Sequence, residues 1–144
     1  MISVSALRAE EYRVWRELFE GYNIFYGREL TSQVADRAWA EFRAGDRLHA
    51  FGARIDGNLV GIAHFLVHAS TTTADVCYLQ DLFTAPAARG KGVARALIQA
   101  VEDWARSREC SRLYWHTQET NHTARRLYDQ VAENRGFIQY VKQL

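Results

Sequence analysis

Residues 86–94, P-A-A-R-G-K-G-V-A, combine residue types that bind anions. Gly90 and Gly92 let the backbone approach a ligand closely and adopt angles closed to other residues. Arg89 and Lys91 add positive charge at the rim, and a regular apolar pattern typical of a helix begins just after them. The first backbone N–H groups of a helix have no partner inside it, so such a turn attracts phosphate. The stretch therefore predicts an anion-binding loop.

Two common phosphate motifs do not match this loop. A Walker loop needs G-x-x-x-x-G-K-[ST], but position 85 is alanine and Gly92 follows the lysine. A dinucleotide fingerprint needs G-x-G-x-x-G, and its third glycine would fall on Arg95. ATP and NAD are therefore disfavoured as ligands. A plain connector, in which the glycines only turn a strand into a helix, stays open.

A second group of candidate residues follows at Asn121, Arg125 and Tyr128. Their offsets of four and three place all three along one side of a helix. Leu127, Tyr128 and Val131 also form an ordinary apolar stripe. Spacing alone favours a packing role for Tyr128 over a chemical one.

The elements that must position these residues follow from hydrophobic periodicity and turn signals. Strands are predicted over 2–6, 48–55, 59–68, 75–84, 112–116 and 137–141, and helices over 32–43, 93–108 and 121–133. An earlier helix is predicted with Val14, Leu18, Tyr22 and Phe25 on its apolar face. Asp56-Gly57 is a strong hairpin signal, and Thr31 or Ser32 and Gly45 mark the ends of the second helix. The order is β-α-α-β-β-β-α-β-α-β, which predicts an α/β fold with a mixed, mostly antiparallel sheet flanked by helices.

Composition limits the classes of function. The 144 residues fit one domain, residues 1–144, and a formal charge of +1 gives no global field to recruit nucleic acid or a membrane surface. No signal peptide or long apolar run is found, so a soluble cytoplasmic protein is expected. Neither the two cysteines nor the histidines (His49, His64, His68, His116, His122) show metal-ligand spacing. We expect no metal, and structural or surface histidines.

The loop and its neighbours resemble the GNAT superfamily of N-acetyltransferases. The pattern [Q/R]-x-x-G-x-[G/A] is met by Arg89, Gly92 and Ala94. Y-L-Q-D-L-F-T-A-P before the loop and L-Y-W-H-T-Q-E-T-N, A-R-R-L-Y-D and G-F-I-Q-Y after it are also typical, as is the order of elements. The closest likeness is to the small branch related to histone, polyamine and D-amino-acid acetyltransferases. The resemblance implies a GNAT fold and acetyl-CoA as co-substrate.

The resemblance also implies roles for individual residues. It places the CoA pyrophosphate on Arg89, Gly90, Lys91, Gly92, Val93 and Ala94. It places the pantetheine arm and acetyl oxygen on the backbone of Leu82, Phe83 and Thr84, with Asn121 and Arg125 nearby. It makes Tyr128 the acid that protonates the departing CoA thiolate, against the packing role that spacing favours.

The base that accepts the amine proton is the weak point of the resemblance. Alternation along the strand predicts Tyr78, Gln80 and Leu82 on one face and Leu79, Asp81 and Phe83 on the other. Relatives often carry Glu at the position of Gln80, and glutamine cannot accept a proton. Asp81 and an ordered water relay remain as candidates.

The acceptor pocket is expected between the first two helices. Its predicted residues are Tyr22, Phe25, Tyr26 and Glu29, with Tyr78 and Gln80 on the strand. Packing between the helices is the alternative role for the aromatic residues. Aromatic faces and a carboxylate would suit a cationic amine.

The expected function is acetyl transfer from acetyl-CoA to a primary amine by direct attack. The amine could belong to a small amine, an amino acid, a polyamine or a protein lysine. The rivals are a catalytically silent acyl-CoA-binding module and a nucleotide- or other phosphate-binding protein. A homodimer joined through the C-terminal strand is also expected.

Overall fold

The computed structural model describes residues 1–144 and contains one five-stranded sheet with helices on its faces. The strands are β1 (Ile2–Ala6), β2 (His49–Ile55), β3 (Asn58–His68), β4 (Val76–Thr84) and β5 (Arg112–Tyr114). The helices are α1 (Tyr12–Phe25), α2 (Ser32–Ala44), α3 (Val93–Ser107) and α4 (His122–Val131). Single 3-10 turns precede α1 (Ala9–Glu11) and follow β4 (Pro86–Ala88). The predicted α/β class and mostly antiparallel sheet are confirmed.

The strands lie side by side in chain order, β1-β2-β3-β4-β5. Neighbours from β1 to β4 are antiparallel, and β5 joins β4 in parallel after the α3 crossover. The β2–β3 turn has Asp56 at φ 51° and Gly57 at φ 81°, the left-handed pair that a two-residue hairpin needs. The hairpin prediction is therefore confirmed.

The sheet separates two apolar layers. On one face α3 buries Val93, Leu97 and Val101 against the strands, and on the other α1 and α2 form the second layer. A Cβ at Gly61 of β3 would come within 2.6 Å of the Val93 side chain. The missing side chain at Gly61 lets the start of α3, and the loop before it, lie directly on the sheet.

The predicted apolar face of α1 is partly wrong. Val14 and Phe25 are 40% and 57% exposed, whereas Trp15 and Phe19 are buried beside Leu18 and Tyr22. Trp15 and Phe19 lie one turn apart and bring more aromatic surface to the sheet, so the helix is rotated toward them.

The ends of α2 are as predicted. The Thr31 hydroxyl accepts a hydrogen bond from the Val34 N–H at 3.2 Å, and Gly45 ends the helix with φ 67°.

The predicted last strand, residues 137–141, is not formed. Residues 133–144 have no regular structure, and Phe137, Ile138 and Tyr140 are 91%, 76% and 89% exposed. A strand needs a neighbour for its backbone groups, and this segment pairs with no strand of its own chain. The predicted strand over 112–116 is also shorter, ending at Tyr114.

None of the helices combines the length and the apolar character needed to cross a bilayer.

Candidate active site

Six consecutive backbone N–H groups, from Gly90 to Arg95, have no hydrogen-bond partner. The first helical bond runs from Ala96 N–H to Gly92 C=O at 3.0 Å. Gly90 and Gly92 have φ of 79° and 85°, in the left-handed region that favours glycine. These angles turn the loop so that its amides continue into the first turn of α3. The result is a cluster of donors at the positive end of a 15-residue helix, which fits a pyrophosphate.

The charged side chains of the loop lie at its rim. Arg89 is exposed, its Nε donates to the Thr84 carbonyl at 3.3 Å, and its Cζ lies 5.6 Å from the Phe83 ring centroid. Lys91 is exposed and forms no ion pair or hydrogen bond. Val93 is buried and Ala94 is half-buried. The backbone therefore provides the fixed donors, and Lys91 is free to contact an anion.

A groove of about 520 Å³ lies beside this loop, between α1 and the end of β4. Phe83 and Arg89 line it, but Asp81 and Tyr128 do not. The groove therefore adjoins the site but is not lined by the predicted base or the predicted acid.

Beyond the first residues of β4, the strand separates from β5. The two strands pair only from Val76 with Arg112 to Tyr78 with Tyr114. The rest of β4, through Leu82, Phe83 and Thr84, is paired with β3 alone. Its other edge pairs with no strand, although the Thr84 carbonyl already accepts from Arg89 Nε, and the backbone groups left unpaired there suit an extended pantetheine arm.

A β-bulge at Gln80 changes which way Asp81 points. His64 lies opposite Asp81 and Phe65 lies opposite Leu79, so Gln80 has no partner on β3. The prediction that Leu79, Asp81 and Phe83 share a face is wrong. Phe83 packs in the α1 layer, whereas both Leu79 and Leu82, three positions apart, pack in the α3 layer. The bulge turns Asp81 toward α1, where the acceptor pocket was predicted, and leaves Gln80 exposed.

The Asp81 carboxylate is held by a buried histidine. His64 Nδ1 lies 2.9 Å from Asp81 Oδ2, and the Trp15 indole N–H donates to His64 Nε2 at 2.9 Å. Because an indole N–H can only donate, Nε2 accepts and Nδ1 carries the proton. His64 is therefore a neutral donor to Asp81. The second carboxylate oxygen has the Tyr22 hydroxyl close by and no charged partner, so it can still accept a hydrogen bond from a ligand.

Two tyrosines of the α1 end face this carboxylate. The Tyr22 and Tyr26 rings lie 5.0 Å apart, and Arg28 lies over both. Burial is the main cause that raises the pKa of each hydroxyl, and the negative charge of Asp81 raises both further. Both tyrosines therefore stay protonated at neutral pH and can donate hydrogen bonds in the cleft. The predicted pocket residues Tyr22 and Tyr26 are thus close to Asp81.

Tyr128 reaches the same cleft from α4. Its ring packs edge-on against Trp115 at 5.4 Å, so part of the predicted packing role is real. Burial, with a smaller effect of Tyr26, raises the pKa of Tyr128 to about 12. The Tyr128 hydroxyl forms no hydrogen bond within the chain. Because every buried polar side-chain atom does have a partner, this hydroxyl is not buried and is open to solvent. Tyr128 is both a packing residue and an available acid.

Asn121 and Arg125 are engaged by the chain itself. Asn121 caps α4, accepting from the Ala124 N–H at 3.4 Å, and its amide nitrogen is 3.5 Å from the Thr117 hydroxyl. Arg125 Nη1 donates to the Glu119 carbonyl at 2.7 Å. Both residues order the turn into α4, and contact with pantetheine stays a prediction.

The remaining predicted residues lie at the edge of the site. Tyr78 is half-buried, its hydroxyl lies 3.2 Å from His116 Nδ1, and burial followed by the charges of Tyr114 and Asp81 raises its pKa. Glu29 is exposed and forms no ion pair. Phe25 is 57% exposed and lines the groove beside the loop rather than the cleft around Asp81. No cluster of three His, Cys, Asp or Glu side chains is arranged to hold a metal ion.

Three residues of the site were missed by sequence reasoning: Trp15, Arg28 and His64. His64 was expected to be structural, because pairing with Asp81 depends on the β3–β4 register and on the bulge. The alternation of β3 alone places His64 on one face but cannot say what lies opposite. Arg28 sits beside the aromatic cluster Tyr22, Phe25 and Tyr26 in the sequence, and that proximity was the one available signal.

Comparison with known proteins supports the same chemistry. The profile of the Acetyltransferase (GNAT) family matches residues 12–132. D-amino-acid N-acetyltransferase HPA3 of Saccharomyces cerevisiae is 31% identical over 96% of this chain and 89% of the relative. Streptothricin acetyltransferase of Escherichia coli is 29% identical over 92% of this chain and 76% of the relative. AAC(6')-Iy, solved with the bisubstrate analog CoA-S-monomethyl-acetylneamine, superposes with a TM-score of 0.88 at 19% identity, covering 100% of this chain and 99% of that one.

Proposed function

Because the chain belongs to the GNAT family of acetyltransferases, we propose that it acetylates a primary amine by direct attack on the thioester of acetyl-CoA. That it is an N-acetyltransferase follows from its family and relatives. The proposal adds the order of events and the residues that carry them.

The row of six free amides from Gly90 to Arg95 is the observation that carries the proposal. It fits the pyrophosphate of acetyl-CoA, with Arg89 and Lys91 contributing charge at the rim. From there the free edge of β4 leads through Thr84, Phe83 and Leu82 toward Asp81. The extended pantetheine arm can bond to that edge as a strand would, with its thioester between Asp81 and Tyr128.

Asp81 is proposed to receive the amine. A lysine-like amine with a pKa near 10.4 is neutral in only about one molecule in 2,500 at pH 7. The free oxygen of Asp81 can bind the ammonium and accept its proton directly or through a water, while His64 holds the other oxygen. The freed nitrogen lone pair then attacks the thioester carbon. Asp81 thus takes the role of the base, which Gln80 cannot fill.

Tyr128 is proposed as the acid. As the carbon–sulfur bond breaks, the electron pair stays on sulfur and the Tyr128 hydroxyl donates its proton to it. The raised pKa, about 12, keeps Tyr128 protonated across the physiological range. The nitrogen bonded to the acetyl carbon then releases its surplus proton, which returns through water to the Tyr128 oxygen. The products are the N-acetyl amine and CoA, and the first amine proton leaves from Asp81 to solvent.

The relatives leave two kinds of acceptor open. One relative is a D-amino-acid N-acetyltransferase and another is a streptothricin acetyltransferase. Polyamines and protein lysines remain candidates from the sequence. Any of these acceptors must bring one neutral amine within reach of the thioester.

Ligand class is tested by thermal shift with acetyl-CoA, ATP and NAD. We expect acetyl-CoA alone to raise the melting temperature. A melting temperature that acetyl-CoA does not change would refute the proposal. A panel of amines assayed for CoA release then separates an enzyme from the rival silent module. That module would show binding with no turnover.

We also propose that residues 1–144 act as one domain in a cytoplasmic homodimer, with no metal. Support for the dimer comes from residues 137–144, which expose several large apolar side chains. The outer edge of β5 is unpaired, and a hollow lined by both apolar and charged side chains, among them Leu113, Trp115 and Arg112, lies beside it. The segment of one copy can add a strand to β5 of the other.

A further inference from the structure

Arg28 places an unpaired guanidinium at the acceptor side of the cleft. It follows α1, and its Cζ lies 5.7 Å from the Tyr22 ring centroid and 5.2 Å from the Tyr26 ring centroid. Arg28 forms no ion pair with any carboxylate, although other arginines form six such pairs within the chain. A guanidinium on two aromatic faces keeps its charge available along its outer edge.

Buried Asn23 orients this guanidinium. The Asn23 side-chain amide donates to the Phe19 carbonyl at 2.8 Å, which fixes the direction of Oδ1. That oxygen accepts from Arg28 Nε at 3.3 Å, and the Arg28 backbone N–H donates to the Asn23 carbonyl at 2.8 Å. The two terminal nitrogens of Arg28 make no hydrogen bond and form an unused fork.

The Arg28 fork and the Asp81 carboxylate both lie near Tyr22. Burial is the main cause that raises the pKa of the Tyr22 hydroxyl; Asp81 raises it further, and Arg28 lowers it. Yet Arg28 and Asp81 form no ion pair with each other. The cleft therefore offers one anion and one cation. His64 holds the anion, Asp81, and Asn23 holds the cation, Arg28.

We infer that Arg28 binds a carboxylate on the acceptor, so that the substrate is a free amino acid. The inference rests on the proposed function, because Asp81 must take the amine for Arg28 to face the acid group. A guanidinium fork matches a carboxylate with two parallel hydrogen bonds. A polyamine or other purely cationic acceptor would instead bring its second charge toward Arg28 and be repelled. The product is an N-acetyl amino acid, formed by the same steps.

The inference is tested with matched acceptors. Rates of CoA release are measured for amino acids of both hands, for their methyl esters, and for spermidine. We expect kcat/KM for the preferred amino acid to exceed that for its ester by about 10- to 100-fold, the loss expected for one charge-assisted pair. The ester retains the amine, so only the carboxylate is removed.

Variants locate the effect at Arg28. Arg28→Gln is expected to raise KM for the amino acid by about 10-fold or more and to lower kcat/KM for the ester by a much smaller factor. Arg28→Lys should recover part of the loss, and Arg43→Gln, at an exposed arginine of α2, should change neither. Equal rates for acid and ester, or an equal loss for both in Arg28→Gln, would overturn the inference. Turnover of spermidine but not of amino acids would also overturn it and leave the proposed function intact, whereas no turnover of any amine would count against the proposed function itself.

Discussion

At the scale of single residues, one unpaired position decides which carboxylate can act. Without the bulge at Gln80, Asp81 would point into the α3 layer with Leu79. With it, Asp81 meets His64 and Tyr22. The candidate residues of this strand could be recognised from the sequence. The bulge could not, because the alternation of inward and outward side chains does not show where an extra residue is inserted.

His64 is expected to act by positioning Asp81. Replacing it with Leu removes the donor to Asp81 and should lower kcat about 10- to 100-fold, as small displacements of a catalytic group do. His64→Asn keeps an amide donor near the position of Nδ1 and should retain most activity. KM for acetyl-CoA should be unchanged in both variants, measured by initial rates of CoA release. Equal kcat in the two variants would show that the hydrogen bond does not matter.

Tyr128→Phe is expected to lower kcat by about 100-fold or more, because the thiolate loses its proton donor. Affinity for acetyl-CoA, measured by calorimetry, should be unchanged. With a raised pKa of about 12, the wild-type acid should stay protonated, and its rate should not decline between pH 8 and pH 10. A fully active Tyr128→Phe enzyme would return the residue to packing alone.

At the scale of elements, local signals were enough where a few neighbouring residues decide the structure. Thr31, Gly45 and the Asp56-Gly57 turn act through bonds and angles close in sequence, and all were predicted. The face of α1 and the end of β5 depend on what packs against them. These were predicted less well, because the partner surfaces come from distant parts of the chain.

A buried ion pair that no pattern revealed joins three elements. Arg54 of β2 donates from Nε and Nη2 to Glu11 at 2.7 and 2.6 Å, and also to Ser5 and Ala6 of β1. Arg54 is 1% exposed. Hydrogen bonding from Arg54 lowers the pKa of Glu11, against the opposing effect of burial.

Glu11→Gln is expected to reduce the free energy of unfolding by about 3 to 5 kcal/mol, because it leaves the Arg54 charge unpaired. The pKa of Glu11 is lower in the folded protein than its ordinary value, near 4.5. The ion pair therefore contributes its full stabilisation above about pH 4.5, and this contribution is lost as the pH falls through the pKa of the folded state. The difference between wild type and variant in urea unfolding should therefore shrink in acid. Glu17→Gln, at an exposed pair with Arg13, should cost less than about 1 kcal/mol. A pH-independent difference would argue against this account.

At the scale of the whole molecule, the order of elements was predictable almost throughout, since each helix and strand carries its own periodicity. The exception is the last strand, residues 137–141. Its sequence has strand character, but one copy of the chain provides no edge for it. Its apolar side chains are the largest exposed apolar run in the molecule. This difference between pattern and structure is what a second copy would explain.

Removing residues 137–144 is expected to convert a dimer into a monomer. Light scattering should give twice the chain mass for the full chain and the chain mass for the shortened one. Loss of the segment leaves the sheet and both apolar layers in place, so circular dichroism should change little. A full chain that is monomeric, or a shortened chain that is still dimeric, would rule out this interface.

Direct transfer requires that acetyl-CoA and the amine be bound to the enzyme at the same time. Initial rates of CoA release, with acetyl-CoA and the best amino acid varied against each other, test it most directly. Direct attack in a ternary complex predicts reciprocal plots that intersect. Parallel plots, which indicate an acetylated enzyme intermediate, or no CoA release with any amine, would contradict it.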